Sequence, residues 1–297
     1  MASFSAFQHT LAAPAIFAGV GLHCGRHIRC AILPAPSGAG ISFIRTDIEG
    51  DNRIEASALS VVQTHLGTVI GNAAGASVST VEHLMSALAA LGVDNAVVEV
   101  DGPEAPIMDG SAEPFVRTLD HAGLRRQDAP RRYIEIMSPI EVCEGGKRAA
   151  LLPADGFEMS VEIDFPSAAI GRQRIDLALD EATFRTELSH SRTFGFLHEV
   201  EALRAAGLAR GGSLENCLVI DGDELVNAEG ARTPDEFVRH KALDVLGDLY
   251  LLGAPLIGRF EAVAPGHTIN NALARAVLAQ PTAWRERLFE ERLAQAV

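Results

Sequence analysis

At 297 residues, 47% of them hydrophobic, the chain is long enough to bury a sizeable core and is more comfortable as two domains than as one, which excludes a disordered chain. A formal net charge of −14 opposes broad binding to nucleic acid or anionic lipid, because the long-range field repels both; any phosphate must meet a local basic cluster. The four cysteines lack CxxC spacing, and neither a secretion signal nor an apolar run of bilayer-spanning length is present, so we expect a reduced, cytoplasmic protein without stable membrane insertion.

In chain order, the segment Ala31 to Pro36 (Ala-Ile-Leu-Pro-Ala-Pro) recurs as Ala150 to Asp155 (Ala-Leu-Leu-Pro-Ala-Asp). Each copy is followed by a glycine-containing turn and a strand-like run, Ile41 to Arg45 and Met159 to Phe165, which suggests an internal duplication. Ser79 to Glu82 and Thr233 to Glu236 both have the Ser/Thr-x-x-Glu form of a helix capping box. After the first, Val81, Leu84, Met85, Leu88 and Leu91 recur at helical spacing up to Gly92, a suitable left-handed terminator. The second predicted helix runs from Pro234 to Gly253. Strand-like segments follow both, Asn95 to Val100 and Leu256 to Val263.

The fold class is therefore α+β, expected as two pseudo-repeated α+β sandwich domains with helices packed on sheet and the active site between them. The polar, arginine-rich stretch Leu124 to Arg132 reads as the link, with the boundary near residue 128, giving domains 1–128 and 129–297. His83 and His240 are farther apart in sequence than the two Leu-Pro-Ala motifs, so the second half carries extra residues. They fall between Phe184 and Asp221, around a helical stretch Glu199 to Ala206, where they can wall a binding passage.

His240 and Asp244 are four apart and share a helix face, from which an imidazole and a carboxylate can reach one metal; an ordinary surface pair is the plain alternative. His83 holds the matching place in the first repeat. Packing the halves against each other would give three protein ligands and leave a fourth position for water, the arrangement zinc hydrolysis needs. Glu82 is either the base beside that water or the third residue of a capping box. His267, on a tight turn after a strand, gains a raised pKa if Asp248 faces it; a solvated loop histidine is the alternative. Only two lysines occur, Lys147 and Lys241; Lys241 follows a candidate ligand, and Lys147 sits on the Gly145-Gly146 turn. HExxH, GxSxG and phosphate-loop signatures are absent.

Six blocks, Gly19 to Gly25, Ser79 to Leu84, Pro106 to Ala112, Arg192 to Phe196, Phe237 to Asp244 and Gly266-His267, together resemble the UDP-3-O-acyl-N-acetylglucosamine deacetylase family. The resemblance implies a zinc-dependent enzyme that removes the N-acetyl group of a UDP-linked, acylated N-acetylglucosamine, the committed step of lipid A biosynthesis. It implies Zn2+ on His83, His240 and Asp244, with Glu82 as general base and His267 as the acid, oriented by Asp248. It further implies Thr193 and Lys241 at the developing oxyanion, Phe194 in the acyl-chain passage, and Lys147 and Phe165 near the uridine diphosphate. Pro166 to Ile170 replaces the family's His-Pro-Ala-Ile, and Ala264-Pro265 stands where Lys-Ser is usual, departures that bear on nucleotide recognition. A monomer is expected, and a non-catalytic nucleotide-sugar or acyl-chain binder of the same fold is the alternative.

Overall fold

The computed structural model describes residues 4–289. In the first half, alternation of buried and exposed positions builds a five-stranded sheet in the order Ala15–Val20, His27–Pro34, Ala96–Val100, Ile41–Arg45, Arg53–Glu55. Every pair is antiparallel except Ala96–Val100 with Ile41–Arg45. The second half repeats that order and those senses with Ile140–Glu144, Lys147–Leu152, Leu256–Val263, Phe157–Asp164 and Arg172–Ala178. The duplication suggested by the Leu-Pro-Ala repeat is thus visible as one topology used twice. Arg132–Ile136 and Trp284–Leu288 extend the second sheet.

Each half threads a helix just ahead of its central strand, Glu82–Leu91 and Glu236–Tyr250, and the two helices pack directly on each other between the sheets. That placement buries the longer helix on nearly all sides, including Phe237, Val238, Leu243, Val245 and Leu249. Leu84, Met85 and Leu88 of the first helix are likewise buried, and burying each such side chain contributes roughly 1.5–3 kcal/mol. Gly92 ends the first helix with φ 74°. Beyond the helix ends, the Tyr250 hydroxyl donates to the Val93 carbonyl at 2.8 Å and Arg131 Nε to Asp94 at 2.8 Å, tying the halves together.

Several expectations need correction. Neither capping box forms: the helices begin at Glu82 and Glu236 without a side-chain cap, Ser79 Oγ donates instead to the Pro103 carbonyl, Glu82 binds the Thr68 N–H, and Glu236 binds Arg192 and the Arg232 N–H. The longer helix accordingly runs over a shorter span than Pro234 to Gly253. The arginine-rich link is no loop, since Leu124–Pro130 pairs antiparallel with Phe7–Leu11. Helices Glu113–Ala122 and His267–Ala279 were not foreseen. The first half also has an insert of its own, the small sheet Val61–Gln63, Val69–Gly71, Ser77–Val78. In the second-half insert, strands Phe194–Phe196, Leu218–Asp221 and Glu224–Leu225 accompany the helix Leu197–Ala205. No helix among the described residues is long and apolar enough to cross a membrane.

The close helix approach depends on Gly247, because a Cβ there would lie 1.9 Å from the Glu82 carbonyl oxygen. Overpacking of this kind costs roughly 1–3 kcal/mol. Gly247→Ala is expected to lower the thermal unfolding midpoint and, by parting the helices, to weaken metal retention; calorimetry with metal analysis checks both.

Candidate metal centre

His83 is the second residue of its helix, and His240 and Asp244 lie one turn apart on the other, so helix packing alone brings the three together. Asp244 Oδ1 is 3.4 Å from His83 Nε2 and 3.3 Å from His240 Nε2, and the three ligand atoms lie within 4.8 Å of one another. Ligands on bonds of ~2 Å at tetrahedral angles stand about 3.3 Å apart, so these spacings suit zinc. All three side chains are buried, and among the described residues Asp244 Oδ1 accepts no hydrogen bond, an expensive state unless a cation faces it.

The neighbours set the ligating forms. His240 Nδ1 lies 3.1 Å from the Ser191 carbonyl, which can only accept; the proton therefore sits on Nδ1 and leaves the Nε2 lone pair facing the cluster. Burial pushes the His240 pKa down to about 3, keeping the ring neutral. Burial alone would raise Asp244, but the positive charge beside it, at neutral pH that of Lys241, holds the carboxyl well below the usual range. Lys241 Nζ donates to Asp244 Oδ2 at 2.7 Å, which leaves Oδ1 as the free ligand atom.

Beside the cluster stands a carboxylate–imidazole pair. Glu82 Oε2 accepts from the Thr68 backbone N–H at 3.0 Å, and Glu82 Oε1 lies 3.7 Å from His267 Nε2. Burial raises the Glu82 pKa, making its carboxylate more basic. His267 is not on a turn, as expected, but opens the helix His267–Ala279 behind Gly266. Its Nδ1 is 2.9 Å from Asp248 Oδ2. Burial disfavours the imidazolium, but Asp248 and Glu82 more than offset it and raise the His267 pKa to about 9.

Asp248 is oriented in turn by Thr68 Oγ1 on one oxygen and Asn270 Nδ2, at 2.9 Å, on the other. Sequence reasoning missed both. Thr68 lies in the unforeseen first-half insert and carries no motif, whereas Asn270 is three residues after His267 and becomes legible once that segment is seen as helical.

The remaining candidates separate. The Phe194 ring lies 6.2 Å from the His240 ring and 5.4 Å from Lys241 Nζ, and Phe165 packs edge-on against Phe194 at 5.6 Å. Thr193 is fixed by its backbone, donating to the Gly110 carbonyl and accepting from Leu218 N–H, both at 2.8 Å. Lys147 is exposed at the start of its strand and joins none of these contacts.

A buried pair of imidazoles with one carboxylate, flanked by a basic carboxylate and a protonated imidazole on two packed α+β halves, defines a zinc-dependent amidohydrolase. The model of one family, LpxC: UDP-3-O-acyl N-acetylglycosamine deacetylase, matches residues 8–279. A Phenylobacterium zucineum protein described as UDP-3-O-acyl-N-acetylglucosamine deacetylase is 67% identical over 98% of this chain and all of its own length. Proteins of the same description from Myxococcus xanthus and Neisseria meningitidis are 48% and 46% identical, each over 93% of this chain and 88% and 92% of their own. The chain belongs to this deacetylase family.

Purified protein is expected to hold one zinc per chain. Zinc at 100 times its dissociation constant should stabilise the folded state by roughly 2.7 kcal/mol. His83→Ala and His240→Ala should abolish that thermal shift, measured by melting the protein with chelator and then with zinc restored.

Proposed function

We propose that this chain hydrolyses the N-acetyl group of a UDP-linked, 3-O-acylated N-acetylglucosamine to acetate and a free amine, the committed step of lipid A biosynthesis. The observation that carries the reading is the Glu82–His267 pair poised 3.7 Å apart beside the His83–His240–Asp244 cluster. Held by His83, His240 and Asp244, zinc would supply Lewis acidity towards the attacking water and the amide carbonyl. Glu82 takes the proton of that water, the new C–O bond forms, and the carbonyl becomes an oxyanion. Lys241 and the Thr193 hydroxyl face that growing charge. His267, protonated at neutral pH and held by Asp248, delivers a proton to the amide nitrogen as the C–N bond breaks, so acetate and amine leave.

Each half contributes on this reading: 1–128 supplies Glu82 and His83, and 129–297 supplies the rest. Phe194 and the insert around 184–221 wall the acyl-chain passage, while Phe165 and Lys147 meet the uridine diphosphate. The enzyme acts as a cytoplasmic monomer without binding nucleic acid.

Acetate release from the acylated UDP-sugar, lost on chelation and restored by zinc, tests the reaction; an unacylated counterpart turned over equally well would remove the acyl passage from the reading. Glu82→Gln should cut kcat at least ~100-fold while the zinc stays bound. Activity should fall as pH rises through the His267 pKa, because the acid is then deprotonated. Asp248→Asn removes the main charge raising that pKa, so the alkaline limb of the rate profile should move to lower pH.

A further inference from the structure

Two sequence blocks, Gly19 to Gly25 and Pro106 to Ala112, have no part in the chemistry above, yet the turn of the first lies against a carboxylate just ahead of the second. Glu104 is fully buried. Its oxygens accept from the backbone N–H of His23 at 2.9 Å, that of Cys24 at 2.8 Å and the Thr80 hydroxyl at 3.0 Å. The turn fits this closely only because Gly21 has no side chain, since a Cβ there would lie 2.7 Å from Glu104 Oε2.

Thr80 is the informative partner. It has φ 56°, a left-handed conformation that β-branched residues avoid, and it stands two residues before Glu82. No side-chain cap holds the start of that helix. The chain there is held by the Thr80–Glu104 hydrogen bond and the strand-like bridge from Ser79 to Pro103 and Ala105, with Thr68 bonded to Val81 and Glu82 just beyond. The far side of the same turn rests on the second-half insert: the Leu22 carbonyl accepts from Gly211 N–H at 3.0 Å and the His23 carbonyl from Arg210 N–H at 3.2 Å.

We propose that Glu104 is a positioning residue for the deacetylation: by holding Thr80 left-handed it aims Glu82 at the reacting water, and by holding the His23–Cys24 turn it registers that aim against the insert. The inference rests on the proposed role of Glu82. Glu104→Gln turns one of the two oxygens that together accept from two N–H groups and a hydroxyl into a donor. Thr80→Ala removes the hydroxyl, and Thr80→Ser keeps it while dropping the methyl.

The test measures acetate release from the acylated UDP-sugar and bound zinc for the full-length wild type and the three variants. Failure of the zinc-loaded wild type to release acetate would sink the functional reading itself. Given an active wild type, E104Q and T80A should lose roughly tenfold or more in kcat with a much smaller change in KM, because misplacing a reacting group by an ångström is that costly. T80S should stay within about twofold of wild type, since the hydroxyl that positions the chain is retained. Equal kcat for T80A and T80S overturns the proposal, as does a loss that vanishes when rates are normalised to bound zinc. If E104Q does not fold, the T80A and T80S pair decides alone.

Discussion

The site exists because two helices touch backbone to side-chainless backbone. Gly247 lets Glu236–Tyr250 lie against the Glu82 carbonyl, and only at that separation can His83 share a cation with His240 and Asp244. Zinc bonds of ~2 Å leave no slack for a thicker contact. The Tyr250 and Arg131 ties at the far helix ends fix the angle, so the metal spacing is a property of the whole interface between halves.

That interface gathers an unusual amount of charge away from water. Glu82, Asp244 and Asp248 are buried together, and among the described residues Lys241 and the His267 imidazolium are the cations set directly against them. Three carboxylates against two positive charges leave the cluster net negative, and the unpartnered Asp244 Oδ1 places the shortfall at the ligand position. Burying carboxylates without compensation is costly, so a divalent cation completes the electrostatics as well as the chemistry. The same crowding shifts both proton affinities upward: desolvation raises Glu82, and Asp248 and Glu82 raise His267.

Legibility in the sequence followed the range of the interaction. The His240–Asp244 pair is local, as are the strands Ile41–Arg45 and Leu256–Val263, and these were readable from spacing. The arrival of His83 depended on the Leu-Pro-Ala repeat, a weak signal that proved sufficient because both halves keep one strand order. The helix at His267 was missed because Pro265-Gly266 reads as a turn and its apolar positions, Ile269, Leu273, Ala274 and Val277, are modest. Thr68 could not have been found, since its bond to Asp248 joins residues 180 apart without a motif at either end. Lys147 was singled out for its rarity, which says nothing about where a flexible exposed side chain points.

The two Ser/Thr-x-x-Glu segments show how a duplicated element can lose its symmetry once a site is built on it. A capping glutamate would turn back onto its own helix end; here Glu82 points away from it, and Glu236 takes the Arg232 N–H just ahead of its helix while also reaching Arg192. Glu82 lies beside the metal cluster, where Thr68 N–H holds it. Glu236 goes to Arg192, accepting from its backbone N–H and from its guanidinium at 2.9 Å, both ends of the pair being buried. Such a pair stabilises little against an apolar replacement, but losing one partner leaves a buried charge at a cost of roughly 3–5 kcal/mol. Its value lies in location. Arg192 stands between Ser191, whose carbonyl selects the His240 tautomer, and Thr193, so the clamp at the helix start fixes both a metal ligand and the residue proposed for the oxyanion. In each repeat the helix starts without a side-chain cap, and its first glutamate instead ties the helix start to a segment beside the metal cluster, Thr68 in one half and Arg192 in the other.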